Sequence, residues 1–136
     1  MNPADQHHTL ITGNREMDEE HAQMLSLLRE LTQNLEAGDR EAGREIFGCL
    51  DEFTRAHFLA EEHQMRLLAY PDFEAHRAEH EGFLETMTAL RARLSDGEAT
   101  KLRDDADAFA RHLVAHIAMA DGPLGTFHRS RTPAAS

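Results

Sequence analysis

Apolar residues recur along most of this chain at alternating spacings of three and four residues, which is the period of an amphipathic α-helix. The first such stretch has a strict 4-3-4-3-4 spacing and ends at Gly38. Asp18 is well placed to cap its amino end. The inward positions predicted for this helix are Met17, His21, Met24, Leu28, Leu31 and Leu35.

Three further stretches with the same period follow, separated by short segments that favour turns. The second runs from about Glu41 to Leu68 and ends before Ala69-Tyr70-Pro71, because proline cannot continue a helix. The third ends at the turn Ser95-Asp96-Gly97-Glu98, and the fourth ends at Gly122-Pro123 or just past it. The predicted inward positions are Ile46, Leu50, Phe53, His57, Glu61, Gln64 and Leu68 in the second stretch; Phe73, His76, His80, Phe83, Met87, Leu90 and Leu94 in the third; and Leu102, Ala106, Phe109, Leu113, His116, Ala120 and Leu124 in the fourth.

The order of these stretches predicts the fold. No segment alternates apolar and polar residues as a half-buried strand does, and no solenoid-type repeat is present. Because short connections favour antiparallel neighbours, the pattern predicts an all-α, up-down-up-down antiparallel four-helix bundle. The 136 residues suit a single domain, in which residues 1–15 form an N-terminal arm and residues 126–136 a flexible tail.

Composition narrows the class of protein and its partners. With 40% apolar and 29% charged residues, the chain is typical of a soluble globular protein. A net charge of −11 argues against a nucleic acid partner, and no apolar run approaches the ~18 residues needed to cross a membrane. The N-terminus lacks a signal-peptide pattern, and the single cysteine, Cys49, excludes an internal disulfide. We therefore expect a cytoplasmic protein in which Cys49 is an inert side chain beside the core.

Ten histidines are the anomaly in this composition. Each predicted inner stripe carries at least one, and one buried histidine can simply be a hydrogen-bonded core residue. Five cannot be explained in this way, because an apolar core offers few partners for imidazole nitrogens. In the predicted topology His21, His57, His76, His80 and His116 reach the same end of the bundle, together with Glu61 and Asp121. The pattern therefore predicts a metal site.

The donor set indicates which metal this site would hold. Seven ligands are too many for one tetrahedral zinc ion, and calcium and magnesium prefer oxygen ligands alone. Mixed nitrogen and carboxylate ligation with an open position suits iron. Two six-coordinate ions have twelve coordination positions in total. Five imidazoles would fill five of these positions, two bridging carboxylates would fill four, and a bridging oxide or hydroxide would fill two. The count leaves one position open for a small ligand.

Four segments resemble the ligand motifs of bacterial hemerythrins: GNREMDEEH (13–21), HFLAEEHQM (57–65), YP with HRAEH (70–71 and 76–80), and HIAMAD (116–121). The resemblance covers roughly residues 10–124, and its H-x3-E, H-x3-H and H-x4-D spacings in this order are very specific. It implies two irons, one held by three histidines and the other by two, with both carboxylates bridging. The implied ligands are His76, His80 and His116 for the first iron, His21 and His57 for the second, and Glu61 and Asp121 as bridges.

The resemblance also implies a function, namely reversible O2 binding as hydroperoxide at the open position of the iron that has two histidines. The protein would then carry, store or buffer O2 rather than act as an enzyme, and its histidine-rich ligation favours binding over turnover. Two alternatives stay open on the residues alone. One is a di-iron peroxidase or a scavenger of nitric oxide or peroxide, and the other is an O2 or redox sensor that acts through a separate protein.

A further prediction concerns the residues that flank the ligands. In the family such positions line the O2 pocket, which here predicts Phe58, Leu113, Ile117 and Met24.

Other positions near the ligands depart from the family or are predicted to lie on the surface. His112 stands where the family usually has tryptophan, and we expect it not to bind iron. His63 and Glu62 are predicted to be surface residues. The chain has no tryptophan at all, and its N-terminal arm carries His7 and His8 where the family commonly has one, which leaves the docking of the arm open.

Overall fold

The fold is known for residues 12–96 and 99–131, which a computed structural model describes and which are helical almost throughout. The helices are α1 (Arg15–Glu36), α2 (Arg40–Leu68), α3 (Phe73–Asp96), α4 (Ala99–His116) and α5 (Gly122–Arg131), with a π-helical turn, Ile117–Asp121, between α4 and α5. Helices α1 and α3 each pack against both α2 and α4. This cyclic order, with no strand among the described residues, confirms the predicted all-α bundle.

The start of α1 differs from the prediction. Its cap is Asn14, whose side chain accepts a hydrogen bond from the backbone N–H of Met17 at 3.2 Å. Asp18 lies inside the first turn instead, and its Oδ1 accepts hydrogen bonds from the backbone N–H and the hydroxyl of Thr12. The predicted capping residue therefore fastens the incoming chain to α1.

The other helix ends follow local signals in the sequence. Gly38, with a φ of 77°, lies in the turn after α1, and Asp39 caps α2 by accepting from the N–H of Ala42 at 3.1 Å. Ala69 ends α2 in the left-handed conformation, with a φ of 51°. Residues 97–98, which belong to the predicted third turn, lie outside the described part of the chain.

The prediction of the buried face is wrong in part for α2. Leu50, His57 and Glu61 are buried as expected, but the other four predicted positions are only partly buried. The buried face also includes Phe47, Asp51, Thr54 and Met65, together with Phe58, which was predicted to lie beside the ligands. Asp51 tolerates burial because Arg55 and Arg91 contact its carboxylate at 2.8 and 3.0 Å. Apolar periodicity assigns Asp51 and Thr54 to the surface, whereas Phe47 and Met65 were missed because the predicted stripe lay one residue away from each.

Two apolar clusters enclose the end of the bundle that carries the histidines. The larger one fills the bundle interior, and the smaller one consists of Met17, Met65, Tyr70 and Leu124 with Phe73 and Phe127 against it. On α1, His21 stands between Met17 of the small cluster and Met24 of the large one. The polar centre is therefore closed on both sides along the bundle axis.

The carboxyl-terminal segment continues past the predicted stop. Pro123 is the second residue of α5, which directly follows the π-helical turn and continues to Arg131. Residues 126–131 of the predicted tail are thus helical, while its flexibility stays a prediction. Arg129 donates to the carbonyl of Thr12 at 2.5 Å, which joins the two ends of the described chain. Residues 1–11, with His7 and His8, and residues 132–136 lie outside the described residues.

Two further sequence predictions concern the surface. Cys49 is exposed, so it does not pack beside the core as expected. None of the described helices is long and apolar enough to cross a membrane.

Candidate metal centre

All seven side chains predicted as metal ligands lie together at one end of the bundle, and each residue is at most 4% exposed. They come from every helix of the bundle: His21 from α1, His57 and Glu61 from α2, His76 and His80 from α3, His116 from α4, and Asp121 from the π-helical turn. The up-down-up-down topology brings together the start of α1, the end of α2, the start of α3 and the end of α4. The seven side chains therefore meet at one end of the bundle, as the sequence predicted.

The π-helical turn positions Asp121. In an α-helix five residues turn through about 500°, so Asp121 would lie about 140° around the axis from His116. The π-helical turn, in which the N–H of Gly122 bonds the carbonyl of Ile117, brings the two side chains onto one face. The Nε2 atom of His116 then lies 3.0 Å from Asp121 Oδ1. The H-x4-D spacing was the signal for this turn in the sequence, but it was used only to recognise a ligand motif and not to predict the backbone conformation.

The seven side chains form two overlapping groups, each able to hold one metal ion. One group is Glu61, His76, His80, His116 and Asp121, and the other is His21, His57, Glu61 and Asp121, and the ligand atoms within each group lie within 4.8 Å of one another. Both carboxylates belong to both groups. The arrangement has three histidines on one side and two on the other.

Each shared carboxylate directs its two oxygens to opposite sides. Glu61 Oε1 lies 3.0 Å from the Nε2 atoms of His76 and His80, while its Oε2 lies 3.0 Å from His57 Nε2. Asp121 Oδ1 lies 2.8 Å from His76 Nε2, and its Oδ2 lies 2.9 Å from His21 Nε2. Each carboxylate could therefore offer one oxygen to each group of candidate ligands.

Several buried ligand atoms at the centre face one another at distances of about 3 Å but without the geometry of a hydrogen bond. They are the Nε2 atoms of His21, His57, His80 and His116, with Glu61 Oε2 and Asp121 Oδ1. A buried polar group that is wholly unsatisfied costs about 1–3 kcal/mol, and the ion-pair contacts here offset only part of that cost, so the cluster is unfavourable as a purely structural core. All six converge on the region between the carboxylates, where a cation would satisfy them. The residues present therefore fit a metal centre.

The charges at the centre support the same reading. Burial alone would lower the pKa of each imidazole, but hydrogen bonds to the carboxylates outweigh it and raise the pKa of His57 to about 10 and that of His76 to about 9. Burial also opposes ionisation of the carboxyls, yet the surrounding histidines hold the pKa of Glu61 and Asp121 below their usual range. The centre is thus built to keep two carboxylates ionised beside positive charge, which metal ions supply in place of protons.

Three further carboxylates orient the histidines from outside. The Nδ1 atom of His57 lies 2.5 Å from Glu20 Oε1, that of His80 lies 2.8 Å from Glu62 Oε2, and that of His116 lies 3.1 Å from Glu79 Oε1. An Nδ1–H that donates to a carboxylate leaves the Nε2 lone pair directed inward and makes the imidazole a stronger ligand.

Sequence reasoning missed these partners and assigned Glu62 to the surface, which is wrong because its side chain is only 13% exposed. A signal was available. Glu20, Glu62 and Glu79 each stand next in sequence to a predicted ligand, and each reaches the histidine of the following helix.

The predicted O2-pocket residues Phe58, Leu113, Ile117 and Met24 are all buried, at 2% exposure or less. The ring of Phe58 stacks on that of His80, with 4.0 Å between centroids and 6° between planes, and lies 5.9 Å from the ring of His57. Phe58 therefore covers two of the candidate ligands from the core side. The pocket role of all four residues stays a prediction.

Three described histidines lie outside the centre, namely His63, His112 and His128. His112 and His63 are both exposed, and neither belongs to the two groups of candidate ligands. His112 lines the cleft between α3 and α4, so it is neither a core residue nor close enough to share an ion with the buried seven.

The fold and this centre define a class of protein: a helical bundle that binds metal through buried histidines and carboxylates. The family described as the hemerythrin HHE cation binding domain matches residues 12–125, and the chain belongs to this family.

Named relatives agree with this assignment. The bacteriohemerythrin of Methylococcus capsulatus is 31% identical over 110 residues, which cover 79% of this chain and 82% of that protein. The bacteriohemerythrin of Stenotrophomonas maltophilia is 26% identical over 115 residues, covering 74% of this chain and 75% of that protein. A crystal structure of wild-type hemerythrin superposes with a TM-score of 0.78 at 27% identity, over 85% of this chain and 88% of that one. The resemblance predicted from the ligand motifs is thus confirmed.

Proposed function

We propose that the centre holds two iron ions and binds O2 reversibly, so that the protein carries, stores or buffers O2. The observation that carries this proposal is the asymmetry of the two groups, which share both carboxylates but have three and two histidines. The group that contains His21 and His57 supplies one ligand fewer, and its ion has the open position that a small ligand needs. The names of the relatives, bacteriohemerythrin and myohemerythrin, support the same function.

The residues around the centre suit binding better than turnover. Two Fe(II) ions held there would supply the two electrons that reversible O2 binding requires. The five histidines are neutral ligands when deprotonated, so the site is less anionic than a carboxylate-rich di-iron site and leaves less driving force for further oxidation. Phe58, Leu113, Ile117 and Met24 supply an apolar wall on the core side, which keeps water away from the open position.

We include a cytoplasmic location in the same proposal. A reducing cytoplasm suits both Fe(II) and a chain whose one cysteine is exposed and has no partner for an internal disulfide.

The test is metal analysis combined with an optical spectrum of the reduced, iron-loaded protein. We expect two irons per chain, and a visible charge-transfer band that appears in air and disappears when O2 is removed. One tightly held zinc ion without iron, after expression with iron available, would contradict the metal assignment. Direct conversion to the oxidised form without a reversible band would favour an enzyme or scavenger.

A ligand variant tests the residue assignment. The double variant His76→Ala/His80→Ala should lose iron from the three-histidine side and unfold more easily, because Glu61 and Asp121 would lose positive partners. The matched control is His112→Ala, which removes an exposed histidine outside both groups and should retain two irons. Unchanged iron content in the double variant would refute the assignment.

A further inference from the structure

Among the described residues, three cavities reach candidate ligands from the surface of the bundle, and they differ in charge. The first lies between α1 and α2, has a volume of about 270 Å³, and is lined by both His57 and Glu61. The second lies between α2 and α3 and reaches His80, and the third lies between α3 and α4 and reaches His116. A hydrated cation that enters the centre has to pass through such an opening, because the two apolar clusters close the bundle along its axis.

The cavity between α1 and α2 is the acidic one. Glu16 and Glu20 stand one helical turn apart on α1 and line its wall, with the exposed His63 on the opposite helix. Glu61, which is only 3% exposed, and His57 both line this cavity, and the Oε2 atom of Glu61 and the Nε2 atom of His57 lie 3.0 Å apart without the geometry of a hydrogen bond. A cation drawn to the surface carboxylates would next meet two of the buried candidate ligands.

The other two openings are less suited to a cation. The cavity between α2 and α3 carries Arg55 and Arg77, whose charges offset those of its two glutamates. The larger cleft between α3 and α4 is lined by one carboxylate, Glu79, whereas the first cavity has both Glu16 and Glu20 on its wall. Electrostatic attraction of a divalent cation is therefore strongest at the first cavity.

We propose that the cavity between α1 and α2 is the route by which divalent metal ions enter the centre, with Glu16 and Glu20 as transient cation-binding carboxylates at its mouth. The inference rests on the metal centre of the proposed function and adds a role for residues outside it. Among the described residues, Glu16 makes no contact with a candidate ligand. It therefore acts on the rate at which the metal enters and not on the final affinity of the centre for the metal. Attraction by surface charge is screened by salt, so the contribution of Glu16 falls as ionic strength rises.

The experiment measures how fast the metal-free protein takes up Co²⁺ alone, followed by the visible absorption of the bound ion in a stopped-flow instrument. Glu16→Lys should slow the second-order rate about tenfold at low salt, which is the lower end of electrostatic steering effects. The number of ions bound and the equilibrium affinity should equal those of the parent. The difference in rate should shrink at about 0.5 M salt, where the screening length is only a few ångströms.

Two variants serve as controls. Glu85→Lys makes the same change in net charge at an exposed position of α3 that lines none of the three cavities, and His112→Ala alters the cleft between α3 and α4. Both should load at the parental rate. The route is overturned if Glu16→Lys loads as fast as the parent, or if Glu85→Lys or His112→Ala slows loading equally. Failure of the proposed function would look different, because the parent itself would then not take up two ions at any rate.

Discussion

The hydrogen bond between His80 and Glu62 gives the sharpest quantitative prediction for the centre. The two side chains meet at 2.8 Å, with exposures of 1% and 13%, so solvent screens the contact very little. Removing such an outer partner of a metal-binding histidine typically lowers metal affinity about 10–100-fold. Glu62→Gln keeps an acceptor oxygen and removes only the charge, and we therefore expect the lower limit, about tenfold weaker binding on the three-histidine side.

Glu79 provides the internal comparison, because it contacts His116 of the same group of ligands. Its contact is longer, at 3.1 Å, and its side chain is 52% exposed, so Glu79→Gln should weaken binding by much less than Glu62→Gln. The assay is competition for Co²⁺ between the protein and a chelator of known affinity near pH 7, with Glu85→Gln as the exposed control. The reasoning is refuted if Glu62→Gln binds as the control does, or if Glu79→Gln has the larger effect.

Three further predictions concern stability and the apolar wall. In the metal-free protein the folded-state pKa of His57 is about 10 and that of His76 about 9, above the ~6.5 of an unfolded histidine. The contribution of these two histidines to the free energy of unfolding is therefore full below about pH 6.5 and is lost as the pH rises through about 9–10. The urea concentration at the unfolding midpoint should decrease over this range. An increase would contradict the assigned contacts. Thr54→Val should stabilise the protein by about 1 kcal/mol, because the Thr54 hydroxyl is buried without a partner, and a lower calorimetric Tm would show that the hydroxyl is bonded after all. Leu113→Ala should leave two irons bound, cost about 2–5 kcal/mol of stability since Leu113 is fully buried, and shorten the lifetime of the oxygenated form. If the folded variant autoxidises and takes up azide no faster than the parent, Leu113 is only a packing residue.

Much of the candidate site follows from the sequence because helical periodicity is a local property. The positions of His21, His76, His80 and His116 on inner faces depend only on spacing along one helix, and all four are buried as predicted. The short connections then determine which helix ends meet. The prediction that these residues share one end of the bundle is borne out because four antiparallel helices allow few other arrangements.

Contacts between helices could not be predicted in the same way, because they depend on how each helix is rotated about its own axis. The rotation of α2 buries Asp51, and apolar spacing alone does not include its ion pairs with Arg55 and Arg91. The same rotation brings Glu62 to His80 on α3, although Glu62 was predicted to lie on the surface.

The π-helical turn is the clearest case of a feature that only the tertiary structure decided. An α-helix would separate His116 from Asp121 by about 140°, and the five-residue spacing alone does not say whether the backbone adapts. The adaptation is stabilised by contacts from other helices, since Asp121 meets His21 of α1 at 2.9 Å and His76 of α3 at 2.8 Å. The sequence determined that the seven polar residues belong to one centre, and packing determined the local backbone that lets the last of them reach it.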